Sequence, residues 1–334
     1  MMIDNRVKPV LLAAGFAVGL GAQAGLTSAV AKFPDRAIEL VCTTKPGSGA
    51  ARWCQMMAEE LKKPEHLGAP VNVIFKSGGS NHEPTLYVAN KPADGYTLLH
   101  VSASFKGYFN LPHYQKTFDD FVLLGRVEKH LYGIAVRCDD PDIKSWKDLV
   151  SYAKANPGKL AMGSNKVGSN HHRHHVALYN DMGLNVRFIP YRGTGGVVKD
   201  VVGKHLRVGF AQPGKWNSHI RAGTVCPLAL LNETRLDDPQ WKGVPAIAEL
   251  GAKYTIPHQW QGFMVRKGTP DEAMNKLASS AKAVTQSAAY KKYLSRQPHV
   301  IAEFHGDRQK LDSYFRDGLK EARAFMIKHK IIKP

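Results

Sequence analysis

The chain has 334 residues, 43% of them hydrophobic, and a formal net charge of +18. That length suits two ordinary domains, and the hydrophobic content is enough for a core in each. The charge alone would suit a nucleic-acid partner, but acidic residues are interspersed throughout and no long basic block occurs, so we expect no nucleic-acid partner. The positive charge fits either a solubilising surface or a field that concentrates anionic ligands at a cleft.

The first 31 residues have the pattern of an export signal. Basic residues precede the apolar run VLLAAGFAVGLGA, which is too short to span a bilayer, and small residues up to Ala31 follow it. Ala24 ends a second candidate cleavage site. We predict a cleaved signal peptide at 1–31 and a periplasmic protein without a lipid anchor, because Cys42 lies beyond the apolar run. No later stretch has the length for a membrane helix.

Four cysteines enter an oxidising compartment if the chain is exported, and an even count permits disulfides. Their spacing is too wide for a zinc ribbon. Cys138 follows the apolar run LYGIAV and Cys226 precedes PLALL, so neighbouring strands can bring these two together. A disulfide and two buried free thiols both remain open at this point.

Strand-like and helix-like segments alternate along the chain. In the first part, IELVCTT, VNVIF and YTLLHVSAS are separated by a helical pattern at 52–63 and by a second helix-like stretch. The alternation restarts at LYGIAVRC and continues through a helix capped by Ser145, then through KLAMGS, VRFIPY, LRVGFA and CPLALLNE. This order predicts βαβ units and largely parallel sheets.

The chain ends with a strand in WQGFMVRKGTP, followed by helices with no further strand, the last at about 308–329. These helices are expected to pack on the first lobe. We therefore predict a discontinuous first lobe at 32–132 plus 256–334 and a second lobe at 133–255.

A series of motifs in this order resembles those of one family. They are FPDRAIELV, PGSGA, PADGYTL, GSNKVGSNHH, IPYRGTGG, PAIAELG and WQGFMVRKGTP. The chain resembles the substrate-binding component of tripartite tricarboxylate transporters, the Bug family, over essentially the whole exported length. The resemblance implies an α/β periplasmic-binding-protein (Venus-flytrap) fold, with two lobes joined by two crossing strands. It also implies a monomer without a cofactor that captures a small organic carboxylate, passes it to integral membrane permease subunits and performs no chemistry on it.

A carboxylate needs donors that are already oriented, and the backbone N–H groups at a helix N-terminus supply them. Glycines and serines lie where strands lead into helices, and the resemblance favours them as ligand contacts. The predicted site consists of Lys45, Gly47, Ser48, Gly49, Gly79, Ser80, Asn81, Ser102, Ser104, Phe105, Ser164, Gly168, Ser169, Asn170, His172 and Tyr191. From the residues alone, the same glycines and serines also suit tight turns and helix caps.

Two departures from the family pattern bear on the ligand. The first loop of such proteins commonly carries an aspartate where this chain has Ala51, and the strand LRVGFA ends in Ala211 where relatives often have another aspartate. Lys45, Arg52 and Lys166 lie near these positions. Fewer acids and more cations favour an anionic ligand without an amino group, such as a di- or tricarboxylate or an aromatic acid.

Three alternatives compete with this reading. His171, His174 and His175 share a helix face at a spacing that can ligate zinc, although Arg173 between them would repel a cation. Ser169 near His172 is the one tempting nucleophile–base pair, but its spacing suits helix capping better than proton transfer, so we expect no enzyme. A ligand sensor that presents its closed form to a membrane kinase is a further possibility.

Overall fold

Two β-sheets flanked by helices organise the computed structural model, which describes residues 32–252, 258–297 and 299–334. The predicted signal peptide and the predicted lobe boundary between 255 and 256 lie outside these described residues. None of the helices in the described part of the chain has the length and apolar character that a bilayer span requires.

The first sheet has six strands in the order β11-β4-β10-β3-β1-β2. These are β1 (Ile38–Cys42), β2 (Val71–Phe75), β3 (Thr97–Ser102), β4 (Phe121–His130), β10 (Gln259–Arg266) and β11 (Val300–His305). The helices around it are α1 (Gly49–Leu61), α2 (His82–Ala89), α3 (Phe105–Tyr108), α8 (Asp271–Gln286), α9 (Ala288–Leu294) and α10 (Arg308–Lys328). As predicted, the last helices pack on this sheet, since α8 and α10 both contact β4.

The second sheet has five strands in the order β7-β6-β8-β5-β9. These are β5 (Tyr132–Arg137), β6 (Ala161–Asn165), β7 (Arg187–Tyr191), β8 (Val208–Ala211) and β9 (Val225–Leu231). Its helices are α4 (Trp146–Ala155), α5 (Asn170–Asp181), α6 (Thr194–Val202) and α7 (Pro213–Arg221). Ser145 caps α4 as predicted, because its hydroxyl oxygen accepts a hydrogen bond from the Asp148 amide at 3.2 Å.

The prediction of largely parallel sheets is wrong. Strands β1, β2 and β3 pair in parallel, but β10 runs antiparallel to both β3 and β4, and β5 runs antiparallel to both β8 and β9. The connections explain this mixture. Strand β4 leads the chain to the second sheet, with only Leu131 between β4 and β5, whereas β10 follows the second sheet and rejoins the first.

The sequence pattern missed two strands, β4 and β11, and the prediction that only helices follow β10 is wrong. Strand β11 lies at the sheet edge and pairs with β4 alone. Val300 is buried, but Ile301 is 45% exposed, so the strand shows no clean apolar alternation. An edge strand that buries so little leaves a weak sequence signal.

Two disulfides are present. Cys138, which directly follows β5, is bonded to Cys226 of the neighbouring strand β9, which settles the pairing that the sequence left open. Cys42 at the end of β1 is bonded to Cys54 on α1, a pair that the sequence did not point to. Trp53, next to Cys54, is fully buried against Phe263 in the core of the first sheet, which fixes the position of α1.

Candidate ligand-binding cleft

A polar cavity of about 80 Å³, here called the cleft cavity, is lined by loops and strand ends from both sheets. From the first sheet and its loops come Thr43, Thr44, Ser48, Gly49, Ala50, Asn81, His100, Ser102, Tyr108, His130, Gln259 and Gln261. From the second come Tyr132, Asn165, Lys166, His171, Arg192, Gly193, Thr194 and Gln212. None of these lining residues is an aspartate or a glutamate. The cavity therefore offers a ligand positive charge and hydrogen-bond donors without a carboxylate.

The loop between β1 and α1 forms one wall. Ser48 caps α1, because its hydroxyl oxygen accepts a hydrogen bond from the Ala51 amide at 3.0 Å and lies 2.9 Å from the Thr44 hydroxyl. The amides of Gly49 and Ala50 in the first helical turn have no carbonyl partner within the helix. Since both residues line the cavity, the positive end of α1 is directed into the cavity.

A buried hydrogen-bond chain forms the floor. The Gln261 amide group donates to Glu128 at 2.9 Å, which directs the Gln261 carbonyl oxygen at His100 Nε2, 2.7 Å away. His100 therefore donates through Nε2 and accepts through Nδ1 from the Thr43 hydroxyl at 2.9 Å. Burial lowers the pKa of His100 to about 4, so its ring is neutral at physiological pH. This series of hydrogen bonds holds the Thr43 side chain in place. Its hydroxyl oxygen can still accept a hydrogen bond from a ligand.

The second sheet contributes donors from the opposite wall. The Thr194 hydroxyl donates to the Gln212 side-chain oxygen at 2.6 Å, which leaves the Gln212 amide nitrogen directed toward Gly49. Lys166 lies between the walls, and its ammonium group donates to the Ser77 carbonyl at 3.2 Å and to the Asn81 side-chain oxygen. Burial lowers the pKa of Lys166 to about 8, with a smaller contribution from Arg192.

The structure brings part of the predicted site together. Of the sixteen residues predicted from the sequence, Ser48, Gly49, Asn81 and Ser102 line the cleft cavity. A neighbouring cavity of about 390 Å³ is lined by Gly79, Ser80 and Tyr191 and shares Lys166 and Arg192 with the cleft cavity. Lys45 and Gly47 are exposed in the first loop.

Seven predicted residues line neither of these cavities: Ser104, Phe105, Ser164, Gly168, Ser169, Asn170 and His172. Phe105 is fully buried against Tyr108 and Phe109. The Ser169 hydroxyl caps α5 by accepting from the His172 amide at 3.1 Å, and the Asn170 amide donates to Ser104 at 3.1 Å. The start of α5 therefore holds the two sheets together, and direct ligand contacts from these seven residues stay a prediction.

Several lining residues were not foreseen, among them His100, His130, Gln259 and Gln261. Each lies within a strand and is buried. The sequence did carry a signal, because a polar side chain inside an otherwise apolar strand needs a partner or a purpose.

The three α5 histidines that the sequence offered as zinc ligands do not come together as a group of metal ligands in the described residues. His171 packs edge-on against Tyr132 and Phe210, while the His175 ring bonds the Val186 carbonyl at 2.9 Å. In the described ranges, the one group of three potential metal ligands is Cys42, Cys54 and His100, and its two sulfurs are bonded to each other.

Two α/β sheets joined by crossing strands, with a polar cavity between their loops, define a solute-binding protein of the periplasmic-binding-protein fold. The family model described as "Tripartite tricarboxylate transporter family receptor" matches residues 54–331. The chain belongs to this family, as its motifs predicted.

Known relatives agree with this assignment. Protein BugT of Bordetella pertussis is 29% identical over 279 residues, covering 80% of this chain and 82% of BugT. Among solved structures, the R. palustris protein Rpa4515 with adipate has a TM-score of 0.79 at 22% identity and covers 89% of this chain and 98% of that one. MatC from Rhodopseudomonas palustris with bound malate has a TM-score of 0.77 at 18% identity, and the match covers 88% of this chain and 99% of MatC. At these identities the two structures establish the fold.

Proposed function

We propose that this protein captures a small di- or tricarboxylate, or an aromatic acid, in the periplasm and delivers it to the permease of a tripartite tricarboxylate-type transporter. The observation that carries the proposal is the composition of the cleft cavity. Lys166, Arg192 and the first turn of α1 contribute positive charge, and none of its lining residues is acidic. A ligand with an ammonium group would find no counter-charge among them, whereas a carboxylate would find several donors.

The family relationship supports the ligand class. Adipate and malate, which accompany the two Rhodopseudomonas proteins, are both dicarboxylates. In this chain the α1 terminus suits one carboxylate, and Lys166 with the Gln212 amide suits a second on the opposite wall.

The two proposed lobes, 32–132 plus 256–334 and 133–255, would close around the ligand. Contacts that join the walls support this movement, since Lys166 reaches Ser77 and Asn81 across the cleft cavity. A ligand held by both walls stabilises the closed form, and a permease that recognises this form receives loaded protein selectively.

We further propose that the protein binds its ligand without changing it chemically. Ser169 and His172 are engaged in capping, because Ser169 accepts from the His172 amide and His172 Nδ1 accepts from the Gly168 amide at 3.2 Å. This arrangement leaves the serine without a base, which supports a carrier and not a hydrolase.

The test is a calorimetric titration of the purified protein with malate, adipate and citrate, and with aspartate and glutamate for comparison. We expect at least one of the three carboxylates to bind and to raise the melting temperature, and the amino acids to bind at least tenfold more weakly. Tighter binding of aspartate or glutamate would overturn the proposal, and no binding of malate, adipate or citrate would overturn the di- and tricarboxylate class.

A further inference from the structure

A second and larger cavity, of about 820 Å³, lies behind the strands that join the two sheets; we call it the back cavity. The alternating directions of the side chains along β10 show where this cavity lies. Gln259 and Gln261 line the cleft cavity, whereas Trp260 between them lines the back cavity. Because successive strand residues point to opposite faces, the two cavities lie on opposite sides of β10.

Four cations line the back cavity, namely Lys106, Arg126, Lys129 and Arg173, and two of them lie over one aromatic ring. The Lys106 ammonium lies 3.5 Å from the centre of the Tyr314 ring, and the Arg126 guanidinium lies 4.4 Å from it. Arg173 approaches from α5 beside Gly107, the residue that follows Lys106. Lys106 and Arg173 are each only 9% exposed, so this positive charge is largely withdrawn from water.

The three cations Lys106, Arg126 and Arg173 form no ion pair with a carboxylate within 4.0 Å in the described part of the chain. Glu321 attracts both Lys106 and Arg173 at longer range. The Nε atoms of Arg126 and Arg173 are buried and have no hydrogen-bond partner there, although Arg173 does donate to Asn170 at 2.9 Å through another nitrogen.

The acids that line the back cavity are engaged elsewhere or lie at its rim. Glu128 accepts from Gln261 and from the Tyr290 hydroxyl at 2.6 Å, in the floor of the cleft cavity. Glu303 and Glu233 lie 2.8 and 3.4 Å from the His305 and His258 rings. The remaining acid, Glu321, is exposed on α10.

Burying a cation without an ion-pair partner costs free energy, and the lowered pKa values of the cluster reflect this cost. Burial lowers the pKa of Lys106 to about 8 and that of Arg173 to about 10. An anion placed among the three cations would offset the cost. It would also give the two orphaned guanidinium nitrogens an acceptor.

The rest of the lining consists of Lys129, His174 and His258 together with four apolar or aromatic residues, Ala177, Trp260, Tyr314 and Phe325. Trp260 is held by a hydrogen bond from its indole nitrogen to the Tyr314 hydroxyl at 2.9 Å, and Phe325 and Ala177 lie on neighbouring helices. We infer that the back cavity is a second ligand site, for an aromatic monocarboxylate whose carboxylate binds Lys106, Arg126 and Arg173 and whose ring packs against Trp260 and Phe325. This inference rests on the back cavity alone and does not require the proposed function of the cleft.

The test uses benzoate as the probe on the full-length exported protein, with benzamide as its uncharged counterpart and sulfate as an anion without a ring. We expect calorimetry to show benzoate binding and at least tenfold weaker binding of benzamide and sulfate. Arg126→Gln and Arg173→Gln should each weaken benzoate binding at least tenfold. Lys320→Gln, which removes a charge from the exposed side of α10, should leave it unchanged.

Arg126 is half-buried, so Arg126→Gln remains informative if Arg173→Gln fails to fold. Benzoate affinity that is unchanged in both Arg126→Gln and Arg173→Gln would place the ligand outside the back cavity and overturn the inference. Equal affinities for benzoate and sulfate would overturn the aromatic class. A crystal structure at saturating benzoate with water alone in the back cavity would overturn the site itself.

Discussion

The Lys166 ammonium donates a hydrogen bond to the Asn81 side-chain oxygen, so that the end of β6 in the second sheet is tied to the start of α2 beside the first. Both residues line the cleft cavity. The same ammonium also holds the Ser77 carbonyl, so a single side chain connects the second sheet to two points of one loop.

Lys166→Met should therefore weaken ligand binding. The change removes a charge-assisted tie, whose loss typically costs about 1.5–3 kcal/mol, and it also removes positive charge from the cavity. We expect the dissociation constant of the cognate carboxylate to rise roughly 10- to 100-fold, mainly through faster dissociation. Stopped-flow or surface-plasmon measurements would show this. Lys204→Met serves as the control, because Lys204 is 69% exposed and pairs with Asp139 away from the cavity; an equal loss there would contradict the role of Lys166.

Two helix caps separate stability from ligand binding. Ser48 caps α1 in the cleft, and Ser145 caps α4 outside it. Replacing either serine by alanine should lower the free energy of unfolding by about 1 kcal/mol, because one helix amide loses its acceptor. Only Ser48→Ala should also weaken carboxylate binding, since it loosens the loop whose amides face the ligand. Denaturant melts and calorimetry on both variants test this. Unchanged affinity in Ser48→Ala would show that the α1 terminus does not bind the ligand.

The two disulfides should contribute different amounts to the free energy of unfolding. Chain-entropy arguments assign about 3 kcal/mol to a bond that closes a short loop such as Cys42–Cys54 and about 4.6 kcal/mol to a bond that closes a long one such as Cys138–Cys226. The sequence separations are 12 and 88 residues. The double alanine variant at Cys138 and Cys226 should therefore lose more stability.

The variant at Cys42 and Cys54 should lose less stability but more ligand affinity, because that disulfide encloses the loop from Thr43 to Trp53. Chemical denaturation and titration of both double variants distinguish these effects. If the affinity falls only when Cys138–Cys226 is removed, the loop does not depend on its disulfide.

Buried histidines should make the fold sensitive to acid. Burial lowers the pKa of His100, His172 and His175 to about 4 and that of His299 to about 3. Between the ordinary value near 6.5 and these values, the unfolded chain binds more protons than the folded chain, so stability is complete above about pH 6.5 and falls as the pH drops toward 4. Each such group contributes about 1.4 kcal/mol per pH unit in this window.

Melting temperatures recorded from pH 8 to about pH 4 would show this decline. His299→Gln should flatten the curve, because it removes one buried histidine without adding a charge. His205→Gln, at an exposed position, should not change its shape. A melting temperature that stays constant down to pH 4 would mean that these rings are not held neutral in the folded protein.

The family and the order of the elements other than β4 and β11 could be predicted because motifs and turn signals are local. Ser145 shows this well, since the cap and its Asp148 partner are three residues apart. Strand direction could not be predicted in the same way, because β10 pairs with β3 and β4 from a position far along the chain.

The candidate site divides in the same manner. Ser48 and Gly49 were predicted from a loop pattern, whereas Gln261 and His100 meet only when β10 inserts beside β3. The back cavity was beyond sequence reasoning, because Lys106, Arg126 and Arg173 come from three separate elements whose approach only tertiary packing defines.

Strand β10 separates two cavities through the alternation of Gln259, Trp260 and Gln261. This strand is therefore the wall that the two cavities share. If the second sheet rotates about this strand as the cleft closes, narrowing one cavity would widen the other, and α5, whose residues line both cavities, would move toward one and away from the other. Binding of a ligand in one cavity would then change the affinity of the other cavity, without any contact between the two ligands.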